Sequence, residues 1–141
     1  MDIIKICLVA LVSISPVGEE MIAIPAGVAM GLPVFIVATV AAAANFLPVP
    51  VISFVFYQGN KYPRIHGWLL KRRNEKVKRW MDKYGIAGLF LLTPWIGVYA
   101  ATITCELLIM QRAKIYAAIA ASLVFYAVIA ALVLTLRIKF I

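Results

Sequence analysis

The stretch IIKICLVALVSISPVGEEMIAIPAGVAM, residues 3–30, is apolar at both ends and broken in the middle by Ser15-Pro16-Val17-Gly18-Glu19-Glu20. A hydrocarbon core of about 30 Å takes about 20 helical residues to cross. At 1.5 Å per residue, Ile3 to Ser15 reaches about 20 Å and Met21 to Met30 about 15 Å, so neither piece crosses alone. Two readings follow: one long kinked helix from Ile3 to Met30, or a re-entrant hairpin with the polar run at its tip. A single span would set two adjacent carboxylates at mid-bilayer, at a cost of about 2.5–3.5 kcal/mol each. Pro16 has no N–H and Gly18 loosens the backbone, so the helical ladder breaks where the charges stand. Irregular backbone at membrane depth survives only where protein covers it or it lines a wet cavity. The re-entrant hairpin meets these conditions and is the expected arrangement.

The remaining chain extends this reading. Leu32 to Tyr57 and Ala113 to Leu136 are apolar runs long enough to cross, while Gly85 to Ile109 again divides into two short pieces around Thr93-Pro94. The order of parts is the same in both halves: short apolar piece, Ser/Thr-Pro tip, second short piece, break, long Ala-rich helix. A shift of 78 residues lays Ser15-Pro16 on Thr93-Pro94 and Leu32 on Met110. A unit of one hairpin and one crossing reverses the side of the membrane, so two consecutive units are inverted relative to each other, as in many secondary transporters. The expected fold is therefore all-α: a multi-pass integral membrane protein of two inverted repeats, residues 3–57 and 85–136, joined by a linker of residues 58–84. The re-entrant tips would be Ser15, Pro16 and Gly18, and Thr93, Pro94 and Gly97.

Composition agrees. Of 141 residues, 65% are hydrophobic and 14% charged, against about a quarter charged in soluble domains. The formal net charge is +8, but residues 58–84 hold nine of the basic residues and two of the acids. The basic balance thus belongs to one segment and does not describe a nucleic-acid-coating protein. Ile65, Trp68 and Leu69, then Val77, Trp80, Met81 and Tyr84, read as two short amphipathic pieces around KRRNEK. Their aromatic residues suit the headgroup level, and the clustered cations, Arg72 and Arg73 among them, attract anionic lipid. With Arg112 and Lys114 on the same face, the positive-inside rule makes the linker cytoplasmic and puts both termini outside, in the cell membrane.

Other classes find little support. Asp2 offsets Lys5 and no cleavage pattern follows, so the N-terminus is expected to be retained. Cys7 and Cys105 lie far apart in apolar context, where a thiol behaves as a small hydrophobe, and no disulfide is expected. His66 is the one histidine, without neighbours that could complete a metal site. No metal, cofactor or nucleic-acid partner is expected. An enzyme has no Ser-His, Cys-His or metal cluster to stand on.

The runs GEEMIAIPAGVAMGLP from Gly18, ANFLPVP from Ala44 and GIAGLFLLTPWIG from Gly85 resemble the small multidrug export family, a relative of the DedA membrane proteins. The resemblance spans about residues 10–135. It implies paired re-entrant hairpins and transporter-like function, and its DedA side implies flipping of lipid-linked phosphates such as polyprenyl phosphates. It maps the acid before the IP-x-G stretch onto Glu19 or Glu20, and an N-x-x-P-V-P element onto Asn45, Pro48 and Pro50. Two departures stand out. The second tip reads Pro94-Trp95-Ile96-Gly97-Val98 where relatives tend to have P-x-P-G-T-G, and no arginine precedes Arg112 in the apolar regions outside the linker.

Four residues are candidates for substrate binding or proton coupling: Glu19, Glu20, Asn45 and Glu106. A carboxyl withdrawn from water can carry a coupling proton or meet a cation. In a purely structural role, Glu19 and Glu20 would complement the dipole of the helix they begin. Glu106 is equally placed to pair with Arg112 or Lys114. Asn45, halfway along a crossing helix, must find a partner for its amide. Gly27 and Gly31, and the Ala runs at 41–44 and 117–121, allow close helix approach. Two crossings and two hairpins enclose too little for a pathway, so a homodimer is expected. The main functional expectation is a transporter of an amphiphilic substrate, a lipid-linked phosphate in the DedA manner. The alternatives are an exporter of hydrophobic cations and a non-transporting factor that organises lipid or recruits partners.

Overall fold

A computed structural model describes residues 2–64, 67, 71 and 75–139, the side chains of 75–77 and 138–139 excepted. The described residues form an all-helical chain: α1 (Ile3–Ile14), α2 (Glu19–Ala29), α3 (Val34–Phe46), α4 (Pro48–Gly59), α5 (Glu75–Ile96), α6 (Val98–Leu107) and α7 (Arg112–Lys139). Two stretches, Val34–Gly59 and Arg112–Arg137, are long and apolar enough to cross a membrane. Large apolar side chains such as Leu11, Phe35, Phe54, Leu132 and Val133 stand on the surface. A soluble protein does not leave so much apolar area to water, and the helices point to a membrane protein.

The chain divides into two compact units. The first holds residues 1–47 and 122–141. Here the segment 3–30 folds back on itself, so it is a hairpin and no single kinked helix. Val9 of α1, Ala23 and Ile24 of α2, and Val37, Ala38 and Ala41 of α3 share one core with Ala127 and Ala131 of α7. Gly27 lies between two helices: a Cβ there would come within 2.5 Å of Val37 Cγ1 and 2.8 Å of Val9 Cγ2. Small residues at this contact let backbones approach where no aqueous hydrophobic effect drives packing. Ser13, fully buried, donates from Oγ to the Ala41 carbonyl at 2.6 Å, tying α1 to α3.

The second unit holds residues 48–121. The backbone leaves helical geometry at Gly85 (φ 53°, ψ −136°), which separates 75–84 from 86–96 within α5. Trp80 packs over Gly88, whose added Cβ would lie 2.5 Å from the indole, and over Tyr84 with ring centroids 5.0 Å apart. Leu89, Val98, Ala101 and Cys105 form its interior with Ile115, Ala118 and Ile119.

The run expected as a crossing helix from Leu32 to Tyr57 is present as the span Val34–Gly59, with a local break at Leu47 that divides it into α3 and α4. Pro48 and Pro50 have no N–H, so the preceding turn loses donors, and Leu47 N–H instead bonds the Ala44 carbonyl at 3.2 Å. Of the residues expected at the second tip, only Gly97 breaks the helix. Thr93 and Pro94 remain helical, Thr93 Oγ1 donating to the Leu89 carbonyl at 2.7 Å, and the break falls at Gly97 (φ 83°).

The turns repeat. Positive φ occurs at Glu19 (φ 42°) and, 78 residues later, at Gly97 (φ 83°, ψ 152°), and again at Gly31 (φ 81°) and Ile109 (φ 57°), also 78 apart. Helix α2 ends with Gly31 N–H bonding Val28 O and Leu32 N–H bonding Gly27 O. Helix α6 ends with Ile109 N–H bonding Glu106 O and Met110 N–H bonding Cys105 O, the same two-bond C-terminal cap. Gly31 therefore serves the turn rather than helix packing: nothing lies within 4 Å of a Cβ placed on it.

Candidate functional site

The first unit gathers its polar groups at the hairpin tip. Ser15 N–H closes α1 onto the carbonyls of Leu11 and Val12. Its hydroxyl accepts from Gly18 N–H at 2.8 Å, bending Pro16 and Val17 through a tight turn. A Cβ on Gly18 would run into the Val12 carbonyl, so only glycine fits there. The chain then enters α2 through Glu19, which is half-buried, and Glu20, which is 3% exposed.

Glu20 is buried because it lies on the inner face of α2. Glu20, Ala23, Ile24 and Gly27 follow the i, i+3, i+4, i+7 spacing of one helical stripe, and all are buried. The Glu20 Oε2 atom has no hydrogen-bond partner among the described residues. Asn45 on α3 is 1% exposed, and neither its Oδ1 nor its Nδ2 has one. A buried polar group without a partner costs about 1–3 kcal/mol, and more when charged. Two of them in one unit are unusual in a native fold.

The second unit treats its acid differently. The Glu106 side chain is 6% exposed, and its Oε1 stands 3.4 Å from Arg112 Nε. That is an ion pair, although no hydrogen bond closes it. The Arg112 guanidinium also lies over the Tyr57 ring, 5.1 Å from its centroid, and Lys61 Nζ sits 4.6 Å from the same ring. Lys114, on the first turn of α7, is exposed.

Among the expected residues, the structure places Glu19, Glu20, Asn45, Ser15, Pro16 and Gly18 in the first unit. Glu106, Thr93, Pro94, Gly97, Arg112 and Lys114 fall in the second. Arg72 and Arg73, with Ile65, His66, Trp68 and Leu69, lie outside the described residues. Sequence reasoning missed Ser13, the α1 to α3 tie, and Ser53, 1% exposed with its Oγ unpartnered among the described residues. It also missed Tyr57, the ring beneath Arg112. Ser13 had a signal: it follows Val9 by four residues and so shares the inward face of an otherwise apolar helix.

Two long apolar helical stretches with buried acids on the neighbouring short helices mark an all-helical protein of membrane character. Residues 19–129 match the family described as "putative small multi-drug export protein", and the chain belongs to that family. No curated protein and no solved structure matches it.

Proposed function

We propose that this protein is a membrane exporter of hydrophobic cations whose transport depends on the buried Glu20 carboxyl at the first hairpin. The observation that carries this reading is the Glu20 carboxyl, 3% exposed with Oε2 unpartnered among the described residues. An acid held inside a membrane protein without a partner is a functional position by default, because its cost must be offset by use. Family membership supports export. The lipid-phosphate reading is weakened at Arg112, one of the four cations, with Lys114, Arg72 and Arg73, expected to attract an anionic headgroup. Arg112 is engaged by Glu106 at 3.4 Å and by the Tyr57 ring, so its charge is largely committed.

The architecture proposed for this exporter is two inverted repeats with re-entrant hairpins. It is supported by the paired positive-φ residues and the matching C-terminal caps 78 positions apart. Each unit also combines like parts: a hairpin, the first part of the long helical stretch that follows it, and the last part of the other. In this arrangement the linker is cytoplasmic, both termini are outside, and two copies assemble to enclose the pathway. A reporter fused after Ile141 would be active outside the cell, and cytoplasmic activity would reject the inverted arrangement.

The functional test is efflux of a fluorescent hydrophobic cation from vesicles containing the full-length protein. The variant Glu20→Gln is expected to lower efflux at least 100-fold, whereas Glu106→Gln lowers it less than tenfold. Efflux by Glu20→Gln at the wild-type rate would reject the site. Transport of a polyprenyl phosphate with no cation efflux would instead favour the lipid substrate.

A further inference from the structure

Glu20 and Asn45 stand at one level of the first unit. Gly27 of α2 faces Val37 of α3. The two helices are joined through a short turn at residues 30–33 and run antiparallel, so a step back along α2 matches a step forward along α3. Seven residues back from Gly27 is Glu20, and seven or eight forward from Val37 are Ala44 and Asn45, both buried. At 1.5 Å per residue the two orphaned side chains are level to within about one residue's rise. Helix α1 ends at that level as well: Ser13 is bonded to Ala41 at 2.6 Å, one turn below Asn45.

Three helix ends meet there. The C-terminus of α1 and the proline-broken end of α3 present the negative ends of their dipoles, against one positive end from α2. The balance favours a cation. The unpartnered atoms include two oxygens, Glu20 Oε2 and Asn45 Oδ1, the hard donors that alkali and alkaline-earth ions take. Carboxylates and broken-helix termini of this kind hold coupling ions in secondary transporters. Size restricts the occupant. With Gly27 pressed between Val9 and Val37, and Glu20 and Asn45 at 3% and 1% exposure, an amphiphile's head has no room. Charge restricts it further. Among the described residues no three acidic, His or Cys side chains converge, so the buried pair offers one carboxylate and one amide oxygen, a donor set that suits a monovalent ion better than a divalent one.

We infer that Glu20 and Asn45 together form an occluded site for a single small monovalent cation, a sodium ion, which serves as the coupling ion of the exporter. The inference rests on the reading of Glu20 as the working acid. It goes beyond that reading in making Asn45 a ligand and sodium the ion.

The test needs no drug substrate. Thermal unfolding of the full-length protein in lipid nanodiscs is followed by tryptophan fluorescence as NaCl replaces choline chloride at constant ionic strength, with KCl as a parallel series. Sodium should raise the midpoint in a saturable way, since a ligand that binds only the folded state stabilises it by mass action. Potassium should do so at least tenfold more weakly. Glu20→Gln should abolish the sodium response, and Asn45→Ala should raise the half-effective sodium concentration at least tenfold. Ser53→Ala should leave it unchanged. Should Glu20→Gln fail to fold, Glu20→Asp supplies the same comparison through a shortened reach, with a weakened response expected. Equal effects of sodium, potassium and choline would overturn the inference, as would a sodium response that survives Glu20→Gln. A midpoint that follows pH but ignores sodium would assign the place to a proton and overturn it equally. An intact sodium response without any drug efflux would reject the proposed export and leave the ion site standing.

Discussion

Glu20 and Glu106 are both buried acids on the second helix of a hairpin, α2 and α6, yet the molecule treats them oppositely. Glu106 is met by Arg112 at 3.4 Å, and that guanidinium is backed by the Tyr57 ring. Glu20 Oε2 is met by nothing among the described residues. Two hairpins that share turn geometry therefore need not share chemistry. The second has its acid compensated, close to the first turn of the long helix α7, where it holds the hairpin's base. The first keeps an uncompensated acid beside its tip. This asymmetry is what the proposed function rests on in giving the working role to Glu20 and a structural one to Glu106.

The comparison can be broken most severely at Gly27. The residue 78 positions later is Cys105, fully buried on α6 with its side chain accommodated. If the two hairpins packed alike, Gly27→Cys would be harmless. Instead Val9 and Val37 leave no room for a Cβ. The substitution is expected to destabilise by about 2–3 kcal/mol, the upper range for overpacking a tight core. A fall in the midpoint of unfolding, or in the yield of folded protein, would register it. Wild-type stability would show that the first hairpin is looser than described.

The ion pair gives the next test. Glu106→Leu leaves Arg112 without its carboxylate. Breaking a fully buried pair costs about 3–5 kcal/mol. The Arg112 side chain is 40% exposed, so water compensates part of this and about 1–2 kcal/mol is expected. The double variant Glu106→Leu, Arg112→Leu should recover most of the loss, and efflux should stay within about tenfold of wild type. Loss of efflux with unchanged stability would return Glu106 to the substrate pathway.

How far these differences could be read from the chain depends on their physical origin. The hairpin was legible at residues 3–30 because bilayer thickness, helical rise and the cost of buried charge all act on local sequence. Glu20 was legible for the same reason, as an acid in an apolar context. The division at Leu47 was less so: Pro48 and Pro50 were visible, but the hydrophobic run continues across them and length alone suggested one helix. At the second tip Gly97 was legible as the break, whereas Thr93-Pro94, which looks like Ser15-Pro16, stays helical, with the Thr93 hydroxyl bonded back to the Leu89 carbonyl. Tyr57 beneath Arg112 was invisible, since it depends on which helix ends meet in three dimensions. The burial of both Asn45 polar atoms likewise depends on the rotation of α3, which an Ala-rich run such as 41–44 does not specify.

The smallest effect isolates what the hairpins do share. Gly31 and Ile109 occupy the same position in identical C-terminal caps, with φ of 81° and 57°, but only one is glycine. The left-handed region costs an L-residue about 1–2 kcal/mol, and a β-branched side chain is a true outlier there. Gly31 has open space around a would-be Cβ, so Gly31→Ala probes the backbone cost alone. It should lower stability by about 1 kcal/mol. Ile109→Gly should relieve the same strain and raise stability by up to about 1 kcal/mol, reduced by the greater freedom glycine has in the unfolded chain. Ile109 is 68% exposed, so little packing is forfeited by removing its side chain. Opposite signs at two positions 78 residues apart would establish that the cap is a repeated element whose residue is optimised in only one copy. Equal signs would mean that the two turns, alike in hydrogen bonding, are held by different forces.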